Sequence, residues 1–275
     1  MNYPLEAGGI HDYPVRVGSM LLTLVEPHRG YEVAYNRWYE RDHFYAGCMI
    51  GPFLFAGSRW VATRELKDLR WPKGEETVAR PIDAGSYVAI YWVEQGHHGD
   101  HFGWATDQVR RLYADGRGFA ERSHVHTALF DHLGAVYRDD DPVPVDLALD
   151  HAYGGLVAAW LDGLDGRTAP DLHEELAAGR VAKALAGSPI EIASSWTPAP
   201  GENDPKDVPM DLGSRAGGPE RLVQLFFVGA DVREALPRLR EYTDSLAADG
   251  LADVRLVAPF HRTVVGTDTY TDQLW

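Results

Sequence analysis

Apolar and polar positions along the chain fall into two similar runs of elements. Met20-Leu21-Leu22-Thr23-Leu24-Val25 is a short apolar run ended by Pro27 and Gly30, the pattern of a buried strand. Tyr31 to about Cys48 follows as an amphipathic helix closed by Gly51-Pro52, and Phe53 to Ala62 reads as a second strand. Asp68 to Gly85, with Pro72, Gly74 and Pro81, reads as a loop. Ser86 to Val93 is a strongly β-prone strand, His101 to Ala114 a helix closed by Asp115-Gly116, and His124 to Phe130 a fourth strand. The order is βαββαβ, the split βαβ arrangement with two helices on one face of a four-stranded sheet.

Asp139-Asp140-Asp141-Pro142 marks a boundary, and beyond it the order repeats. Gly155 to Trp160, Ile190 to Trp196, Leu222 to Val228 and Val254 to Val257, with a continuation towards Val265, read as strands. Asp171 to Ala186 and Val232 to Ala248 read as helices, Pro198 to Pro219 as a long loop, and Gly266 to Trp275 as a tail that docks on a neighbour. Gly51 to Trp60 aligns with Gly187 to Trp196 without a gap, and Ala114-Asp115-Gly116 recurs as Ala248-Asp249-Gly250. A tandem duplication is the economical reading, with units 1–138 and 139–275. Extending the first alignment backwards sets Trp38 on Glu174 and His43 on Gly179. The polar cluster around His43 thus belongs to the first copy alone, which marks residues 1–138 as the active half.

Composition narrows the function. The 275 residues are 45% hydrophobic and 24% charged, enough to bury a sizeable core. The net charge of −15 argues against nucleic acid or an anionic membrane surface as partner. No apolar run approaches the roughly 20 residues that span a bilayer. Met1 to Val17 lacks the basic end and apolar run of a secretory signal, so a cytoplasmic protein is expected. Cys48 is the only cysteine and sits in an apolar context, which predicts a neutral buried thiol. No phosphate-binding glycine motif and no Gly-x-Ser-x-Gly elbow is present.

Candidate chemistry gathers in Tyr35-Asn36-Arg37-Trp38-Tyr39-Glu40-Arg41-Asp42-His43. On an α-helix Tyr39 and His43 stand one turn apart, and Trp38 pairs with Asp42 on the neighbouring strip. A second constellation is His97-His98-Gly99-Asp100-His101 with His124-Val125-His126. His97 and His101 share a helical face if the helix starts before them; against this, Gly99 reads as loop with Asp100 as N-cap, while His124 and His126 share a strand face. They could line a pocket or hold a metal. Of the aromatics, Tyr87, Tyr91, Trp92, Trp60 and Phe55 are core residues whose inward members would line an apolar cavity. His132, His151, His173 and His261 stand alone and read as surface or capping residues.

Tyr35 to His43, followed by Gly51-Pro52-Phe53-Leu54-Phe55-Ala56-Gly57-Ser58-Arg59-Trp60, resembles the histidine-bearing helix and following arginine-bearing strand of EthD-like proteins in the dimeric α+β barrel superfamily. His43-Phe44-Tyr45 departs from the usual histidine-x-proline. The resemblance implies an α+β fold in which two ferredoxin-like units, both supplied by this chain, pack into an intrachain barrel that can dimerise further. It also implies proton transfer on an aromatic or polyketide-like carbonyl compound, as in isomerases, cyclases and lyases, without a cofactor. In that scheme His43 is the acid/base, Tyr39 donates to an enolate oxygen and Asp42 or Glu40 orients the imidazole. Trp38, Arg59, Tyr91, His124 and His126 bind substrate. The alternatives are a metal- or haem-dependent oxidoreductase using His97, His101, His124 and His126, and a non-catalytic binding partner.

Overall fold

Eight strands close into one barrel in the computed structural model, which describes residues 15–74, 77–199 and 209–275. The reading of Met1 to Val17 therefore falls largely outside the described residues, as does part of the Pro198–Pro219 loop. In the first half β1 (Val17–Pro27), β2 (Leu54–Val61), β3 (Tyr87–Glu94) and β4 (Arg122–Tyr137) lie in the order β4-β1-β3-β2. In the second, β5 (Gly155–Gly163), β6 (Ile190–Pro198), β7 (Arg221–Val228) and β8 (Ala252–Arg262) lie in the matching order β8-β5-β7-β6. These are two ferredoxin-like sheets in tandem, packed as an intrachain α+β barrel. The seams between them differ: β4 runs on to pair with β6 from Phe130 to Tyr137, whereas β2 meets β8 only at Trp60 and Val61.

The inward side chains are large and fully buried. Trp60, Trp92, Trp160 and Trp196 meet there; Trp92 and Trp196 stack at 6.0 Å and Phe227 contacts Trp60 and Trp92 edge-on. An eight-stranded barrel is just wide enough for side chains to fill, and here indoles fill it. The ligand cavity expected inside the barrel therefore lies elsewhere: of the aromatic strand residues, Trp60 and Trp92 turn into the packed interior, while Tyr87 and Tyr91 turn out to meet the helices.

On the outer face of the first half lie α1 (Glu32–Trp38), a π-helical segment (Tyr39–Met49), the short α2 (Arg64–Asp68) and α3 (His98–Ala114). His97 occupies the N-cap of α3, so Gly99 and Asp100 are in its first turn and Asp100 does not cap it. On the second half lie α4 (Ala169–Ala177), α5 (Arg180–Leu185) and α6 (Val232–Ala248). Thr168 and Asp171 start α4 with a reciprocal capping box, and Asp231 caps α6. The single helix expected over Asp171–Ala186 is two, parted at Ala178-Gly179. The tail docks on its own chain rather than a neighbour: Leu274 is fully buried, Lys67 Nζ donates to its carbonyl at 3.0 Å, and Asn36 Nδ2 donates to the Thr267 carbonyl at 2.9 Å. Among the described residues no helix is long and apolar enough to cross a membrane.

Candidate functional site

The helix that carries His43 changes its winding where the polar cluster begins. After Trp38 the chain passes from α to π, with hydrogen bonds reaching five residues back, as from Ile50 N–H to the Tyr45 carbonyl. Such segments are uncommon and cluster at functional sites. The wider turn brings residue i over i+5, so His43 stacks on Trp38 with centroids 4.6 Å apart and planes 16° apart, and meets Tyr39 edge-on at 5.3 Å. The expected pairing of Trp38 with Asp42 is replaced. Asp42 swings to the surface, where Arg117 binds its carboxylate and holds its pKa below the usual range. Glu40 pairs with Arg59 at 3.4 Å, so neither carboxylate orients His43.

Between this segment, α3 and the outer face of β1, β3 and β4 lies a cavity of about 440 Å³. His43, Tyr39, Tyr91, His101 and His124 all border it, among apolar neighbours such as Leu21, Leu54 and Phe102. Gly47 lies against the imidazole; a Cβ there would come within 2.8 Å of His43 Nδ1. His43 makes no hydrogen bond among the described residues, and burial lowers its pKa to about 3, with Arg122 and His124 adding to the shift. At physiological pH its imidazole is neutral and carries a lone pair rather than a charge. Tyr39 and Tyr91 join hydroxyl to hydroxyl at 2.7 Å, and burial pushes both phenols well above their ordinary pKa, so they keep their protons. Cys48, on the same wall, is pushed up to about 12 by burial and is a neutral thiol.

The other two imidazoles are fixed through one nitrogen or both. His101 Nδ1 donates to the Pro52 carbonyl at 2.8 Å, which leaves Nε2 as a lone-pair nitrogen without a partner among the described residues. Burial lowers its pKa. His124 Nε2 accepts from Arg122 Nε at 3.2 Å; its proton therefore sits on Nδ1 and is donated to Thr127 Oγ1 at 2.7 Å. Burial brings His124 to about 3 as well.

The remaining expected residues lie outside the cavity. Trp38 stands behind His43, its indole N–H donating to the Arg117 carbonyl at 2.9 Å. Arg59 is buried below the site, 4.4 Å from the Tyr39 ring centroid and 3.1 Å from Asn36 Oδ1. His124 and His126 do not share a face: a bulge at Val125 shifts the register between β1 and β4 and turns His126 into the barrel. There its Nε2 accepts from Trp160 Nε1 at 3.4 Å and Nδ1 meets Ser214 Oγ at 2.9 Å. His97 lies at the surface, 3.0 Å from Asp100 and stacked on Phe53. The four-histidine cluster is thus dispersed, and no group of three metal-binding side chains forms among the described residues. Arg122, Thr127, Leu129 and Met210 join the wall unforeseen. Their only sequence signal is proximity to His124, and for Met210 there is none.

No family model matches the chain, and no curated protein does. Solved structures do. A dye-decolorizing peroxidase from Bacteroides thetaiotaomicron superposes with a TM-score of 0.53 at 12% identity, covering 95% of this chain and 98% of that one. An anthrone oxidase-like protein gives 0.54 at 6% identity, with 93% and 98% covered. A protein described as a chlorite dismutase gives 0.50 at 11%, with 94% and 100% covered. Mostly enzymes of small molecules, these neighbours overturn the expectation of a cofactor-free protein, because the peroxidase and the dismutase belong to haem-dependent types. At such low identity the likeness is one of fold: two ferredoxin-like sheets packed as a dimeric-type α+β barrel.

Proposed function

We propose that the chain is a small-molecule oxidoreductase working in the cavity between the first-half sheet and its helices, with haem as cofactor and an aromatic or polyketide-like carbonyl compound as substrate. One observation carries the reading: three neutral imidazoles and a hydrogen-bonded phenol pair converge on one largely apolar cavity of about 440 Å³. Cavities in this size range hold small organic ligands. The similarity of Tyr35–His43 and Gly51–Trp60 to EthD-like proteins supports the same location, within residues 1–138; residues 139–275 complete the barrel and lend Met210 and Leu212 to the wall.

The donor chemistry fits haem at His101. An iron-binding imidazole is neutral and commonly donates its second ring N–H to a backbone carbonyl, which is how His101 is held by Pro52. Haem held there would supply one-electron and oxygen chemistry. The protein's own residues do the rest. Apolar walls exclude water and hold a flat substrate. His43, with neither nitrogen engaged among the described residues, takes the substrate proton, and Trp38 keeps its ring in place by stacking. Tyr91 and Tyr39 donate a hydrogen bond to a substrate oxygen. Asp42, tied to Arg117, takes no part, and Arg59 acts by fixing Tyr39 from below.

Titration of the purified protein with hemin, followed by absorption, tests this. Wild type should take up hemin stoichiometrically with the band of a histidine-ligated iron. His101→Ala should lose that band, while His43→Ala keeps it and loses turnover of aromatic substrates. No stoichiometric uptake, or a band unchanged in His101→Ala, rejects the assignment.

A further inference from the structure

The wall of the cavity carries a single charged side chain. Among the described residues of that wall Arg122 is the only Lys or Arg, and no Asp or Glu is present. Its position is a junction: Arg122, His124 and Met210 also border an outer cleft of about 540 Å³, to which Tyr113, Ser123 and Asp211 contribute.

The guanidinium is held in place by neutral acceptors. Nε donates to His124 Nε2 at 3.2 Å, one Nη to the Phe119 carbonyl at 3.0 Å and the other to Tyr113 Oη at 3.1 Å, while the group lies 4.5 Å from the Trp38 ring centroid. These contacts use three of its five N–H groups and leave one on each Nη. Arg122 forms no ion pair among the described residues. The imidazoles nearest it, His43 and His124, are neutral, so the cavity carries a net positive charge inside a chain of net charge −15. The one carboxylate of the adjoining cleft, Asp211, is exposed and forms no ion pair with Arg122 among the described residues. A cation kept half-buried without a counter-ion is costly, and a pre-oriented guanidinium fork matches a planar carboxylate.

We infer that Arg122 is the receptor for a ligand carboxylate, and that the cavity takes an amphipathic acid. Its apolar body occupies the inner cavity and its carboxylate meets the remaining Nη hydrogens at the mouth. This rests on the cavity being the ligand site, as proposed above. A substrate acid and the propionates of haem offer the same chemistry, and the experiment separates them.

Binding of 2-naphthoate and of methyl 2-naphthoate is measured by calorimetry for wild type, Arg122→Gln and Arg122→Lys; hemin and its dimethyl ester are compared in parallel. Wild type should prefer the acid. Arg122→Gln should weaken the acid about ten- to a hundredfold and leave the ester unchanged, with Arg122→Lys, which keeps the charge without the fork, in between. A preference confined to the naphthoate pair assigns the carboxylate to substrate; one confined to the hemin pair assigns it to cofactor. If neither pair shows an acid preference that Arg122→Gln removes, the inference is wrong. Gly103→Trp distinguishes that failure from a wrong cavity: Gly103 lines the cavity and has open space around its Cβ position. Where Gly103→Trp blocks acid and ester alike yet no preference exists, only the role of Arg122 falls. Where it blocks neither, the cavity is not the site and both readings fall.

Discussion

The two half-sheets are covered by helices in matching topological positions and are filled in opposite ways. Over β5 and β7, Leu172, Leu176, Leu185, Leu239 and Leu246 are buried to the last per cent, and Tyr242 closes the layer by donating to Gln224 at 2.9 Å. Over β1 and β3 the corresponding layer is aromatic and polar, wound as a π-helix, and leaves a cavity of about 440 Å³. The aligned positions show where they part. His43, on the π segment, corresponds to Gly179, where the second half breaks its helix into α4 and α5. Both halves abandon regular α-winding there, one to present an imidazole and the other to fold small residues tightly onto the sheet. Close aliphatic packing serves stability, while a lined hollow gives up contact energy for ligand binding.

The largest test of this contrast is core truncation. Leu239→Ala in the filled half should cost about 2–5 kcal/mol in chemical denaturation, whereas Leu129→Ala, on the cavity wall, should cost less than about 2 kcal/mol because part of its surroundings is already empty. Equal losses would mean that the hollow closes in solution.

Acid should act next. Burial holds His43, His124 and His126 at about 3 and His132 at about 4 in the folded chain. Unfolded, each returns to about 6.5 and binds protons that the native state refuses. Stability is then full above pH about 6.5 and falls as the pH drops towards these lowered values. His43→Gln with His124→Gln should flatten that fall in a pH series of thermal unfolding; an unaltered slope would show that both sites hydrate on protonation.

Two glycines sharpen the comparison within the cavity. Gly47→Ala pushes a methyl against His43 and should weaken hemin or naphthoate binding about tenfold, a loss of about 1.4 kcal/mol. Gly103→Ala, with open space around it, should instead stabilise α3 by about 0.5–1 kcal/mol and leave binding alone. The smallest effect belongs to Asp42→Asn: its partner is an exposed Arg117, so melting temperature and binding should both stay at wild-type values. A loss of turnover there would return Asp42 to the site.

Hydrophobic periodicity, turn residues and the internal alignment sufficed for the order of elements along the chain and its doubling, because each depends on neighbours along the chain. Tyr39 and His43 were legible as a pair on the same terms. What the tertiary structure decided depends on departures from regular geometry or on contacts across the sequence. The π-winding placed His43 on Trp38 and sent Asp42 outward, and a bulge of one residue at Val125 separated His124 from His126. Barrel closure packed four indoles into the interior and moved the cavity to the outside of the sheet. Arg122 became the cavity's cation only when the fold set it beside His124, Tyr113 and Trp38 without an ion-pair partner among the described residues, a property of spatial neighbours that no local pattern encodes.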